Sequence, residues 1–149
     1  MPEKFPLRRG LSIAGLIVLR IILGGYFILA ALSKIKDPQT FALQIRDYQI
    51  LGDPWPTVFA VGLPWLELFA GIGIVIHRLY AGSLTVITGL LVAFMIALAS
   101  LVARNITIDC SCGVRESTPA EALLIDSGLL AIAIALAVIE FCATRRKPA

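Results

Sequence analysis

Four long apolar runs separated by short polar stretches set the pattern of the chain. They fall near 11–32, 58–76, 79–103 and 119–143. At 1.5 Å per helical residue, each is long enough, or nearly so, to cross a hydrocarbon core of about 30 Å. None alternates apolar and polar residues as a barrel strand does. In lipid only helices and closed barrels satisfy their own backbone, so the runs are read as transmembrane helices. Between the first two lies Pro38–Ile50, where Phe41, Ile45 and Tyr48 recur at helical spacing behind a capping Asp37 and a proline at the first position. That pattern predicts a short amphipathic helix on the outer membrane surface, ending at Gly52 and followed by a rigid turn at Asp53-Pro54-Trp55-Pro56. The segment reads either as a lid over the bundle or as a surface for a partner. Thr118-Pro119-Ala120-Glu121 predicts a capping box at the start of the last run. The predicted fold is all-α: a single integral-membrane domain over residues 1–149, built as a bundle of four transmembrane helices with one surface helix.

Composition agrees with this pattern. The chain is 58% hydrophobic and 15% charged, with a mean hydropathy of +0.90, well beyond an ordinary soluble domain. The net charge of +3 does not come from a basic face interleaved with aromatics, so nucleic acid is excluded as a partner and the bilayer is the expected environment. Lys4, Arg8 and Arg9 ahead of an apolar run resemble a signal peptide. Arg20 interrupts that run and three more runs follow, so it is read as a retained first span. Lys4, Arg8, Arg9, Arg78, Arg145, Arg146 and Lys147 flank one side of the predicted bundle. Lys34, Lys36, Arg46, Arg104 and Arg115 flank the other, together with most of the loop acids. The bias predicts cytoplasmic termini and outward-facing longer loops in an inner (plasma) membrane. Trp55 and Trp65 then fall near the outer interface, and the small residues scattered through the spans are read as packing positions.

Charges within the spans need partners. Counted from the inner ends of their runs, Arg20 and Glu67 lie at the same depth, about 14 Å in, which predicts an ion pair between them. Such a pair either fixes helix register or polarises a bound ligand. Asp126 lies near the start of the last helix with Lys34 in reach. Glu140 is placed at the inner interface near Arg145 and Arg146, and His77 stands without a second metal ligand nearby in sequence.

The reactive-looking chemistry is Asp109-Cys110-Ser111-Cys112-Gly113, in the polar stretch before the last run. Three cysteines allow at most one intramolecular disulfide. A zinc site needs more ligands than two thiols supply. A purely structural bridge across one residue would constrain almost no chain. A redox-active pair is the third reading: a bridge over one residue is strained, and strained bridges are readily reduced. Arg104 and Arg115 bracket the pair and favour a thiolate, while Asp109 opposes it. Cys142, about 24 Å along the last helix from Asp126, is read as a buried, inert thiol.

Taken together, Arg20-Ile-Ile-Leu-Gly24, Ala31-Leu-Ser-Lys34, Asp37-Pro38 with Phe41, Ile45 and Tyr48, and Pro64-Trp65-Leu66-Glu67 with Gly71 resemble the DoxX-like superfamily of four-helix membrane proteins. The acidic Cys-x-Cys-Gly loop ahead of a helix carrying Asp126 resembles its MauE branch, the redox-associated membrane proteins of methylamine utilisation. The chain departs from that pattern at Ser111 and Val114, where glycine and an aromatic residue are usual. The resemblance implies a redox role beside a thioredoxin-like periplasmic partner. On this reading Cys110 and Cys112 exchange electrons with that partner and Asp126 takes up a thiol proton. A membrane quinone held near Arg20, Glu67 and Asp126 is the candidate second carrier, and Lys34 and Tyr48 are further polar candidates within the bundle. Two rival readings stay open. One is a non-catalytic membrane chaperone or assembly subunit working through Pro38–Ile50, sensitive at Phe41 and Tyr48. The other is a small transporter using Arg20 and Glu67.

Overall fold

A computed structural model describes residues 13–76, 79–106 and 118–144. Five helices follow one another: α1 (Ile13–Lys36), α2 (Pro38–Asp47), α3 (Trp55–Ile76), α4 (Tyr80–Ala103) and α5 (Pro119–Thr144). Among the described residues there is no strand. The four long helices are each long and apolar enough to cross a membrane. Their outward faces carry Phe69, Leu79, Ile96 and Leu124, each exposed. That is a large apolar surface for a protein in water and an ordinary one in lipid. The protein is a multi-pass membrane protein.

The helices form an antiparallel bundle. α1 lies along α3 and α4 along α5, α3 against α4 joins the two pairs, and a lighter α1–α5 contact closes the ring. Leu23, Phe27, Ile74, Ile87, Leu91, Ala133 and Leu136 fill the core. The α1–α3 contact is a backbone approach at two glycines. A Cβ on Gly24 would lie 2.8 Å from the carbonyl oxygen of Gly71, and one on Gly71 would lie 2.9 Å from that of Gly24. α3 and α4 pinch together at Gly73, where a Cβ would collide with Ser83 Oγ. Small residues permit such approaches between membrane helices. Gly25, Gly82, Gly89 and Gly128 do not serve this purpose, since nothing lies within 4 Å of their added Cβ.

The glycine contact corrects the expected Arg20–Glu67 pair. Arg20 lies one turn to one side of Gly24, and Glu67 lies one turn from Gly71 toward the other end of the bundle. The two charges are therefore separated by about two turns, about 12 Å along the axis. Counting from the inner ends of the apolar runs misjudges this register because those ends are not level. With Gly24 opposite Gly71, the end of α3 at Ile76 stands level with about residue 19, well inside the start of α1 at Ile13.

Local signals shape the remaining ends. Asp37 caps α2, accepting from the Thr40 amide at 3.1 Å and the Thr40 hydroxyl at 2.6 Å. α2 stops at Asp47, ahead of the expected Ile50, as Gln49 takes the left-handed backbone region at φ 51°. Phe41 and Tyr48 point inward and are buried, so α2 packs as a cover on the bundle. On α5 the buried positions Ala122, Asp126, Leu129, Ala133 and Leu136 step by three and four residues along one stripe. Cys142 lies off that stripe and is exposed, which corrects its expected burial.

Candidate functional site

Among the described residues, the end of the bundle that carries α2, Ile106 and Thr118 gathers most of the buried polar groups: Lys34, Glu67 and Asp126. Lys34 projects from the last turns of α1, and Glu67 lies inside α3. Side chains on a helix lean toward its N-terminus, so on these antiparallel helices the two lean toward each other. Lys34 Nζ donates to Glu67 Oε1 at 2.7 Å and to Oε2 at 2.8 Å. Both side chains are almost wholly enclosed, at 2% and 1% exposed. The ammonium also sits 5.1 Å from the ring centroids of both Phe41 and Phe94, within cation–π range. α2 thus closes over Lys34 through Phe41. This pairing is the partner that α1 gains by extending past Leu32.

Asp126 enters the same region from α5. It is buried and feels the charges of both Lys34 and Glu67. The expected Lys34–Asp126 contact is replaced by the Lys34–Glu67 pair. Asp126 Oδ2 is buried without a hydrogen-bond partner among the described residues. A buried carboxylate oxygen in that condition is costly unless something donates to it.

Both stems of the cysteine-bearing segment are capped. On the α4 side, Ile106 N donates to Leu101 O and Asn105 N to Val102 O, both at 3.1 Å, with Asn105 left-handed at φ 53°. This is a Schellman stop, and it folds Ile106 back onto the cluster of Leu98, Leu101, Ala122 and Tyr48. On the α5 side the capping box forms: Thr118 N donates to Glu121 Oε2 at 3.2 Å and Glu121 N to Thr118 Oγ1 at 3.4 Å. Arg104, at the α4 cap, donates from Nε to Ser100 O at 3.2 Å and from Nη2 to the Tyr48 carbonyl. It ties the end of α2 to the root of the segment, a role that its place beside the cysteines did not suggest. Cys110 and Cys112 lie outside the described residues, as do Asp109, Arg115, His77 and the basic residues at both termini.

The other polar cluster stands at the opposite end. Arg20 Nη2 lies 3.7 Å from Glu140 Oε2, with the two side chains 21% and 34% exposed. The Arg20 guanidinium carbon lies 4.2 Å from the centre of the Tyr80 ring. No local pattern singles out Tyr80, because its meeting with Arg20 is a contact between helices. Fourteen residues of α1 separate Arg20 from Lys34, about 21 Å. The structure therefore brings Lys34, Glu67, Asp126 and Tyr48 to one end and leaves Arg20 at the other.

A sequence model of the family described as methylamine utilisation protein MauE matches residues 12–139. The chain is 36% identical over 124 residues to the methylamine utilization protein MauE of Paracoccus denitrificans, covering 80% of this chain and 66% of that one. It is 34% identical over 84 residues to the protein of the same name from Methylorubrum extorquens, with 56% and 45% covered. With that of Methylophilus methylotrophus it shares 33% identity over 107 residues, with 71% and 56% covered. The chain thus spans from under half to about two thirds of the length of these curated relatives. No solved structure matches it.

Proposed function

The chain belongs to the MauE family, and from that premise we propose that it is a membrane thiol–disulfide redox protein serving methylamine utilisation. Its Cys110–Cys112 pair works on the outer face of the inner membrane, with both termini cytoplasmic and the whole chain acting as one domain. The partner is a secreted thioredoxin-like protein. A thiolate of the pair attacks one sulfur of the partner's disulfide, and the partner's other sulfur leaves as a thiolate. The second thiol of the pair then attacks the bridging sulfur of the first and releases the partner. The pair ends oxidised, the partner ends reduced by two electrons, and the two thiol protons finish on the partner. The reverse direction has the same balance. Asp126 is the proposed way-station for a proton.

The observation that supports this reading is the buried, unpartnered Asp126 Oδ2, two turns into the helix whose capped start is one stem of the cysteine segment. Cys110 is only four residues from Ile106, which keeps it within about 14 Å of that stem. The earlier quinone cradle does not fit: Arg20 stands about 21 Å from Lys34 along α1, and both oxygens of Glu67 are taken by Lys34. No step is routed through a quinone. We also propose kinship with the DoxX-like superfamily, on the motif order described above. The assembly-subunit reading loses its named residues, because Phe41 and Tyr48 face inward.

The test is Cys110→Ser and Cys112→Ser in membranes carrying the oxidised partner. Each change abolishes exchange, and one of them traps a mixed disulfide through the surviving thiol, seen as a reducible higher band. Asp126→Asn slows exchange by about 10²-fold. Full exchange in both cysteine variants would overturn the proposal.

A further inference from the structure

Asp126 has a part in the proposed exchange, and the enclosed Lys34–Glu67 pair has none. Stability does not account for the pair, since an ion pair this deep gains little over apolar side chains of the same volume. Counting charges does. Lys34, Glu67 and Asp126 are the buried charged groups among the described residues. The other cations described at this end, Lys36, Arg46 and Arg104, are exposed. With both carboxyls ionised the buried cluster carries one net negative charge, and with one proton added it is neutral. Burial makes that difference large. The hydrogen bonds decide where the proton goes. Both oxygens of Glu67 accept from Lys34, at 2.7 and 2.8 Å, and the rings of Phe41 and Phe94 enclose the ammonium. Asp126 Oδ2 has no donor among the described residues, so it is the oxygen open to a proton. Side chains lean toward the N-terminus of their helix, which on α5 is the Thr118 end, where the cysteine segment joins.

We propose that Lys34 is a positioning residue for the thiol exchange: its charge, held in place by Glu67, lets the buried Asp126 exist as a carboxylate and so take and return one proton. The assignment rests on the proton role of Asp126 given above. Of the two charges that Asp126 feels, the ammonium is the stronger. Glu67 anchors that ammonium and offsets part of its charge, so the ion pair forms with Glu67 and Asp126 is attracted without being locked. The step balances. A thiol of the Cys110–Cys112 pair gives its proton to Asp126 and becomes the attacking thiolate, and the cluster goes from one net negative charge to none. Asp126 then gives that proton to the thiolate released from the attacked disulfide. Electrons pass only between sulfurs. Without Lys34 an ionised Asp126 is an uncompensated buried charge. It then keeps its proton throughout and accepts none from a thiol.

The test follows the reduced full chain in lipid vesicles as it exchanges with oxidised glutathione. The pair is oxidised to its disulfide and glutathione disulfide is reduced to two thiols. Infrared spectra of the same samples read the protonated-carboxyl band that Asp126→Asn removes. Lys34→Met with Glu67→Leu takes out both charges of the pair and keeps the bundle filled. It slows exchange about 10²-fold, as Asp126→Asn does, and adding Asp126→Asn to it brings no further loss. Independent effects would multiply to about 10⁴-fold. The Asp126 band is stronger in this paired variant than in the wild type. Glu67→Gln, of nearly the same shape, leaves more of the ammonium charge to Asp126 and weakens the band. Damaged packing would not move the band in opposite directions. Wild-type exchange in Asp126→Asn would remove the proton role and this assignment with it. Slow exchange in Asp126→Asn beside wild-type exchange in the paired variant would overturn the Lys34 assignment alone. So would a multiplied loss in the triple variant, or bands that fail to shift in opposite directions.

Discussion

The two polar clusters of this bundle are built from the same kinds of residue and differ in almost everything else. Lys34 and Glu67 meet at 2.7 and 2.8 Å inside the protein, under two aromatic rings and a surface helix. Arg20 and Glu140 meet at 3.7 Å, partly open to their surroundings. The first pair has exchanged all outside solvation for each other, so neither partner can be removed without stranding the other. The second is screened and shared with a tyrosine ring, and each member can find alternative partners at the interface. An ion pair in a membrane helix bundle therefore says little until its depth and enclosure are known.

The largest effect is expected from Glu67→Ala. It leaves a buried ammonium and should cost about 3–5 kcal/mol in detergent unfolding. Lys34→Met combined with Glu67→Leu should recover most of that loss, because neither charge remains. Gly71→Val comes next. Its Cβ would press on the Gly24 carbonyl and on Ile28, neither of which can easily yield, and the same unfolding measurement should show a loss of about 1–3 kcal/mol. Removing the exposed pair by Arg20→Gln or Glu140→Gln should cost under about 1 kcal/mol, with a double-mutant cycle giving a small coupling that falls with salt.

The smallest effect is at Asp37, outside the spans. The Thr40 hydroxyl and amide hold its carboxyl below the ordinary value of 3.8. A depressed folded pKa means stabilisation that is present above the unfolded value and is lost as pH falls through the folded one. Asp37→Ala should lower amide protection in α2 at neutral pH, and the difference from the wild type should fade below about pH 3.8.

These contrasts also mark what could be read from the chain itself. The spans, the α2 cap at Asp37 and the Thr118–Glu121 box rest on local periodicity and on hydrogen bonds three residues apart, and such signals survive without tertiary information. Register between helices does not. It is decided where Gly24 meets Gly71, and no run boundary reports that contact. For the same reason counting along the runs sets Arg20 level with Glu67, two turns from where the glycine contact holds it. The side of α5 that Cys142 occupies is not legible in a helix apolar all round, and only the stripe from Ala122 to Leu136 shows which side faces the bundle. The polar groups near the cysteine segment are legible singly. Their meeting depends on α2 folding back over Lys34 and on Arg104 holding Tyr48, which are contacts across long stretches of chain.

In the proposed function Cys110 and Cys112 form a working redox pair at the end of the bundle that holds Asp126. That pairing is tested most directly by labelling the two thiols in intact membranes with an impermeant maleimide, across a series of poised thiol–disulfide buffers applied from outside. The prediction is a single two-electron transition, in which both cysteines gain or lose label together while Cys142 does not follow. Labelling of Cys110 and Cys112 that stays constant across the series, or that appears only after the membrane is opened, would contradict it.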